Sequence, residues 1–164
     1  MPKINSSQEF DREMEFSEKY LPKGKISELL KFKLDEALGL YRIVLNGLDR
    51  LNGDGSLEFD FNLEQALVKD AYMVGGLLWG RNESDIDLYL QTYGTNYQAD
   101  RAIKLMHFEN YKNKPKVEWV DLYLGKGLPS QDNFLGKPNY RITPQIRDLL
   151  RKHNLLINSK KRKH

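Results

Sequence analysis

Apolar residues recur at intervals of three and four between Lys25 and Leu51, a spacing typical of an amphipathic helix with one buried face. Ser27 is a suitable N-cap for this helix, and Gly39 is a position at which it can bend or break. A weaker apolar pattern predicts an earlier helix over residues 7–21, capped by Ser7. Residues 1–60 are therefore predicted to form an N-terminal helical segment.

The sequence NGDGS at 52–56 is typical of a turn. A calcium-binding EF-hand loop is excluded there, because the required spacing places Arg50 at the first position and Phe61 at the twelfth. Both positions need a carboxylate ligand.

Beyond Asn62, the predicted cap of a short helix over 63–69, the pattern changes to that of strands. Three segments are predicted to be strands, namely AYMVGGLLWG (71–80), SDIDLYLQT (84–92) and VEWVDLYLG (117–125). Helices are predicted over 96–111 and 142–157, the second with Thr143 as N-cap and Pro144 at the first helical position. This order of elements predicts an α+β or α/β core over 61–158 with a small sheet, followed by a basic tail at 159–164.

Composition narrows the class of protein. The 164 residues are enough for one domain with a real core, and the absence of cysteine excludes a disulfide scaffold and a thiol nucleophile. The start MPKINSSQEFDRE has no apolar stretch of the signal-peptide kind, and no apolar run reaches the length of a membrane span. We therefore expect a cytoplasmic protein without a membrane partner.

The net charge of +3 conceals an asymmetry. Residues 137–164 hold nine basic residues and one acidic residue, whereas the preceding part of the chain is acidic. A local basic block attracts polyanions, so RNA is one predicted partner. The predicted contacts are Lys137, Arg141, Arg147, Arg151, Lys160, Lys161, Arg162 and Lys163. The alternative is that the final residues are simply a solvated tail.

Candidate chemistry centres on Asp85 and Asp87. They are two residues apart on a predicted strand, so both side chains point to one face, where a divalent cation would offset their repulsion. Carboxylate oxygens suit Mg²⁺ or Mn²⁺. If the strand that contains Asp121 lies beside them, a cluster of three carboxylates results. The alternatives are ordinary polar alternation for the pair and a strand-end acid for Asp121.

The segment VGGLLWGRNESDIDLYL (74–90) resembles the signature of the nucleotidyltransferase superfamily, the polymerase-β-like fold. Its VGG, LLWGR and SDIDL are similar to the CCA-adding branch and the poly(A) polymerase head, although the linker between the first two is absent. The resemblance implies an α+β fold with a small mixed sheet. It also implies that Gly75 and Gly76 hold the triphosphate of a nucleotide, that Asp85 and Asp87 bind metal, and that Asp121 activates the attacking hydroxyl.

Other residues near this segment leave alternatives open. Arg81 and Ser84 flank the aspartate pair and are predicted to bind the nucleotide or its phosphates, and the alternative for Arg81 is a solvated side chain. Gly75 and Gly76 alternatively mark a bulge or tight turn. His107 is expected to be structural, because its neighbours are of the type found in cores.

The sequence therefore predicts an enzyme that uses Mg²⁺ or Mn²⁺ to move a nucleoside monophosphate from a nucleoside triphosphate (NTP) to an acceptor hydroxyl. The acceptor is an RNA end, a small molecule or a protein. The alternative is a nucleic-acid-binding protein with a degenerate core and no catalysis. The sequence leaves the oligomeric state open.

Overall fold

The computed structural model describes residues 18–79, 85–94, 97–129 and 139–157. The predicted helix over 7–21 lies mainly outside these ranges, and its last residues, 18–21, form a turn and bend rather than a helix. Within the described ranges, no helix is both long enough and apolar enough to cross a membrane.

The long first helix, α1 (Glu28–Gly53), is confirmed at its start. The Ser27 hydroxyl accepts a hydrogen bond from the backbone N–H of Leu30 at 3.1 Å and so caps the helix. Gly39 does not interrupt α1; instead, a Cβ there would lie 3.2 Å from the His153 ring, so glycine permits close packing. The helix ends in a turn at Asp54 and Gly55, where the sequence predicted one.

The described residues include four strands, β1 (Val68–Val74), β2 (Ile86–Thr92), β3 (Val120–Gly125) and β4 (Tyr140–Arg141). They form one mixed sheet in the order β3–β2–β1–β4. β1 runs antiparallel to β2 and β4, whereas β2 and β3 are parallel and are connected through α2 (Tyr97–Tyr111). The predicted α+β class with a small mixed sheet is thus confirmed.

Two predicted boundaries near β1 are wrong. The helix predicted over 63–69 is only a 3₁₀ turn, Leu63–Ala66, capped as expected by the Asn62 side chain, and Val68 already belongs to β1. The strand predicted over 71–80 ends at Val74, because Gly75 has a positive φ of 80° and turns the chain into a second 3₁₀ segment, Gly76–Trp79.

The helix α3 (Thr143–Lys152) begins one residue earlier than predicted, because Thr143 is its first residue rather than its N-cap. Ile142 is the N-cap, and the Thr143 hydroxyl accepts a hydrogen bond from the N–H of Ala71 in β1 at 2.6 Å. The helix ends five residues before the predicted end at 157, because Asn154 has a positive φ of 55°. This allows Leu155 N–H to bond back to the carbonyl of Leu150 at 2.8 Å and close the helix.

The two faces of the sheet have different surroundings. Ala71, Met73, Leu88, Leu90 and Leu122 belong to the main core, which includes the buried faces of α1, α2 and α3. The alternate residues Tyr72, Val74 and Tyr89 form a separate small cluster with Tyr123 on the other face. The three helices therefore form one layer, and the face that carries these tyrosines is the opposite side of the sheet.

Candidate metal centre

Strand β2 places Asp87 on the sheet face opposite the helices. Ile86 and Leu88 point into the main core, so Asp87 between them points the other way, as the alternation predicted. Its side chain is nearly buried, with 9 % of the residue exposed. Asp85 lies one residue before the strand and is partly exposed.

Strand β3 brings Asp121 to the same place. In the parallel register, Asp87 and Asp121 are direct partners across the two strands. Asp85, Asp87 and Asp121, here called the aspartate cluster, offer carboxylate oxygens that all lie within 4.8 Å of one another. The sequence predicted a cluster of three carboxylates only if the two strands are neighbours. In the structure they are neighbours, and the three carboxylates lie together.

The cluster is electrostatically unfavourable without a cation. Burial, followed by the charges of Asp85 and Asp121, raises the pKa of Asp87 to about 7. The pKa of Asp121 is also raised, by burial and by a hydrogen bond and repulsion from Asp85. A hydrogen bond between two carboxyl groups requires a proton on one of them. Below about pH 7 the three acids are therefore not all ionised, and added positive charge would favour their ionisation.

Gly75 lies against Asp87 at the end of β1. Val74 pairs with Asp87 across the antiparallel strands, and the next residue turns away with its positive φ. A Cβ on Gly75 would collide with the Asp87 carboxylate, lying 3.0 Å from its Cγ. Glycine is therefore required at this position both by the turn and by the aspartate side chain. Gly76 comes directly after it and is half-buried.

Tyr123 is a member of the site that was not predicted from the sequence. Two residues after Asp121, it lies on the same face and opposite Tyr89 in the parallel register. Its hydroxyl makes a hydrogen bond with the Asp87 carboxylate, which opposes the rise in the pKa of Asp87. The spacing of two residues from Asp121 was the signal that could have identified it.

The described residues among the predicted nucleic-acid contacts are not gathered around the cluster, whereas Lys116 and Lys104 lie close enough to lower the pKa of Asp121. Arg141 on β4 is on the same sheet face, opposite Tyr72, but its guanidinium pairs with Asp70 at 2.7 Å. Arg147 and Arg151 are exposed on α3, in the helical layer and hence on the opposite side of the sheet. The other predicted contacts lie outside the described residues, namely Arg81, Ser84, Lys137, Lys160, Lys161, Arg162 and Lys163.

His107 is buried, with its Nδ1 2.7 Å from the carbonyl oxygen of Val120. It therefore ties α2 to β3, in agreement with the structural role that was expected. Trp119 immediately precedes β3 rather than lying within it, and its ring packs on Tyr111 with the centroids 6.0 Å apart.

Comparison of the chain with protein-family models, curated proteins and solved structures gives no match. The function of the chain is therefore inferred from the geometry of the aspartate cluster and from the resemblance of residues 74–90.

Proposed function

We propose that this protein is a metal-dependent nucleotidyltransferase with a sheet of the nucleotidyltransferase type. The observation that carries the proposal is the aspartate cluster, in which Asp87 and Asp121 lie on two parallel strands, Asp85 directly precedes the first of them, and Gly75 packs against Asp87. The order strand, strand, helix, strand around the cluster is the one that the resemblance implies.

The donor set fits Mg²⁺ or Mn²⁺. All three side chains supply carboxylate oxygens, the hard ligands that these ions prefer, and the ions commonly complete their shells with water and substrate phosphate. The raised pKa values of Asp87 and Asp121 arise in part from mutual repulsion, which a bound divalent cation offsets. Asp85, Asp87 and Asp121 would hold the ion, which supplies Lewis acidity at the phosphates of the nucleotide.

The glycines would position the nucleotide. The space that a Gly75 Cβ would take is occupied by the Asp87 carboxylate. Because neither Gly75 nor Gly76 carries a side chain, their backbone N–H groups beside Asp87 would bind the triphosphate, as the resemblance implies. Because Asp87 and Asp121 are direct partners across the two strands, a triphosphate beside Asp87 and an acceptor hydroxyl at Asp121 would lie next to each other.

Asp121 is the base in this proposal. The acceptor hydroxyl oxygen attacks the α-phosphorus and forms a new O–P bond, while its proton passes to the Asp121 carboxylate. The bond from the α-phosphorus to the bridging oxygen breaks, and pyrophosphate leaves with the electron pair. Asp121 then returns the proton to solvent.

Nucleotide binding in the presence of magnesium tests the proposal. Each of the four ribonucleoside triphosphates is titrated into the protein by calorimetry, with Mg²⁺ or with EDTA. We expect at least one to bind only with Mg²⁺, and Asp87→Asn to weaken that binding at least tenfold. Asp148→Asn is the matched control, because the Asp148 side chain is 99 % exposed on α3. This substitution should leave the nucleotide affinity unchanged. Magnesium-independent binding, or none, contradicts the proposal.

A further inference from the structure

The ring of Tyr123 is held by packing on the sheet face that carries the aspartate cluster. Tyr123 contacts the small group formed by Tyr72, Val74 and Tyr89. In that group Tyr89 is fully buried, and its ring lies 6.4 Å from the ring of Tyr72. Close packing of this kind restricts a side chain to few rotamers, so the Tyr123 hydroxyl has a defined direction.

The Tyr123 hydroxyl is directed at Asp87. Asp121 is the direct partner of Asp87 in the parallel register, and Tyr123 lies two residues further along β3, so it is the diagonal neighbour of Asp87. The two side chains are hydrogen bonded. Burial and the charges of the three aspartates raise the pKa of Tyr123, so its hydroxyl keeps the proton and donates it to the carboxylate.

The Asp87 carboxylate is contacted from the opposite side by the end of β1. A Cβ on Gly75 would lie 3.0 Å from the Asp87 Cγ, so the backbone turn there packs directly against the carboxylate. Because β1 and β3 flank β2 on its two sides, Gly75 and Tyr123 approach Asp87 from different directions. The Asp87 side chain is therefore held between its two neighbouring strands.

These contacts oppose the repulsion within the cluster. The charges of Asp85 and Asp121 act on Asp87, and a carboxylate that can rotate would turn away from them. A cation site needs the opposite orientation, with the three carboxylates directed at one point. Hydrogen bonds to metal-binding carboxylates fix their orientation, and losing such a bond typically costs about 10- to 100-fold in metal affinity or activity.

We propose that Tyr123 is a positioning residue of the metal site, whose hydroxyl holds the Asp87 carboxylate in the orientation that binds the divalent cation. The inference rests on the metal site of the proposed function and adds to it a residue that is not a carboxylate. Because the hydroxyl keeps its proton, Tyr123 acts through Asp87 and does not bind the ion itself.

Binding of Mn²⁺ alone tests this role without nucleotide or acceptor. Mn²⁺ is titrated into the protein at pH 8.5, above the pKa of about 7 of Asp87, so that protons compete little for the carboxylate. The free ion is followed by electron paramagnetic resonance. We expect saturable binding to the unaltered protein that Asp87→Asn removes, and about 10- to 100-fold weaker binding to Tyr123→Phe.

Tyr89→Phe is the matched control. Tyr89 lies opposite Tyr123 in the register of β2 and β3, and its hydroxyl donates to the carbonyl oxygen of Gly127 at 2.6 Å. This variant also loses one tyrosine hydroxyl from the same face, but it should keep the Mn²⁺ affinity of the unaltered protein. Both phenylalanine variants remove one oxygen atom and add none, so we expect both to fold, which thermal unfolding verifies.

The outcomes separate the role of Tyr123 from the metal site itself. If Tyr123→Phe binds Mn²⁺ as tightly as the unaltered protein, or if Tyr89→Phe loses as much affinity, the positioning role is overturned and the metal site stands. A purely structural tyrosine would give the first of these results, with only the unfolding temperature lowered. If the unaltered protein binds no Mn²⁺, or if Asp87→Asn binds it equally well, the metal site and the proposed function are overturned together with this role.

Discussion

Asp87 of β2 and Asp121 of β3 are direct partners in a parallel register, so two adjacent strands present carboxylates to each other on a partly buried face. Together with Asp85 they form a cluster whose oxygens lie within 4.8 Å of one another. Repulsion and burial make such a cluster costly, and the cost depends on pH and on cations. This dependence makes the cluster measurable even before an acceptor is known.

Without divalent cations, the protein should lose stability as the pH rises from about 4 to 7. The pKa of Asp87 is about 7 in the folded chain against 3.8 as the reference, so over this range the folded state binds more protons than the unfolded state. Stability then falls with rising pH, by an amount of the order of 2–4 kcal/mol for this group.

Urea unfolding in EDTA at pH 4.5, 6 and 8, on the unaltered protein and Asp87→Asn, measures this effect. The variant should match the unaltered protein at pH 4.5 and be more stable at pH 8. A difference that does not change with pH would show that Asp87 does not titrate as described.

Gly75→Ala should damage both the fold and the cluster. The positive φ of 80° strains any residue with a Cβ, and the new methyl group would displace the Asp87 carboxylate. We expect a loss of about 1–2 kcal/mol in unfolding free energy and at least tenfold weaker magnesium-dependent nucleotide binding.

Gly47→Ala is the matched control for that substitution. Gly47 lies within α1, and an added Cβ there meets nothing within 4 Å. Alanine should therefore raise stability by up to about 1 kcal/mol through helix propensity, with unchanged nucleotide binding. If Gly75→Ala resembles Gly47→Ala in both unfolding free energy and nucleotide binding, the close contact between Gly75 and Asp87 does not matter for nucleotide binding.

The hydroxyl of Thr143 should contribute more to the free energy of unfolding than its methyl group does. Thr143→Val leaves the buried N–H of Ala71 without its acceptor and should cost about 1–3 kcal/mol. Thr143→Ser keeps the hydroxyl and should cost about 1 kcal/mol for the lost methyl. Thermal unfolding of both variants checks the order, and a serine variant less stable than the valine variant would contradict it.

The sequence predicted those elements whose periodicity extends over many residues. The helices α1 and α2 and the strand β2 were identified because their apolar residues repeat at three to four or at two positions. The face shared by Asp85 and Asp87 was predicted from the same alternation. The ends of elements were predicted less well, because contacts with residues distant in the sequence determine them. Val68 belongs to β1 through its pairing with Thr92, and the Thr143 hydroxyl bonds to Ala71 instead of capping α3.

Contacts between strands could not be derived from the sequence. The order of strands in the sheet places β3 beside β2, and the sequence does not reveal this order. The sequence could therefore predict Asp121 in the cluster only if the two strands were neighbours. The hydrogen bond from Tyr123 to Asp87 and the unpaired Nε2 of His107 depend on the same adjacency. A sequence shows which face a side chain occupies, but not which partner it meets there.

Measuring the transfer of a nucleoside monophosphate to an acceptor tests the proposed activity most directly. The protein is incubated with Mg²⁺, each α-³²P-labelled NTP in turn, and a pool of cellular RNA and small molecules, beside Asp85→Asn and Asp87→Asn. We predict that the unaltered protein transfers label to an acceptor and releases unlabelled pyrophosphate, and that both variants lose this activity while remaining folded. Undiminished labelling by both variants, or no labelled product from any nucleotide when the unaltered protein binds magnesium and NTP, would contradict the assignment.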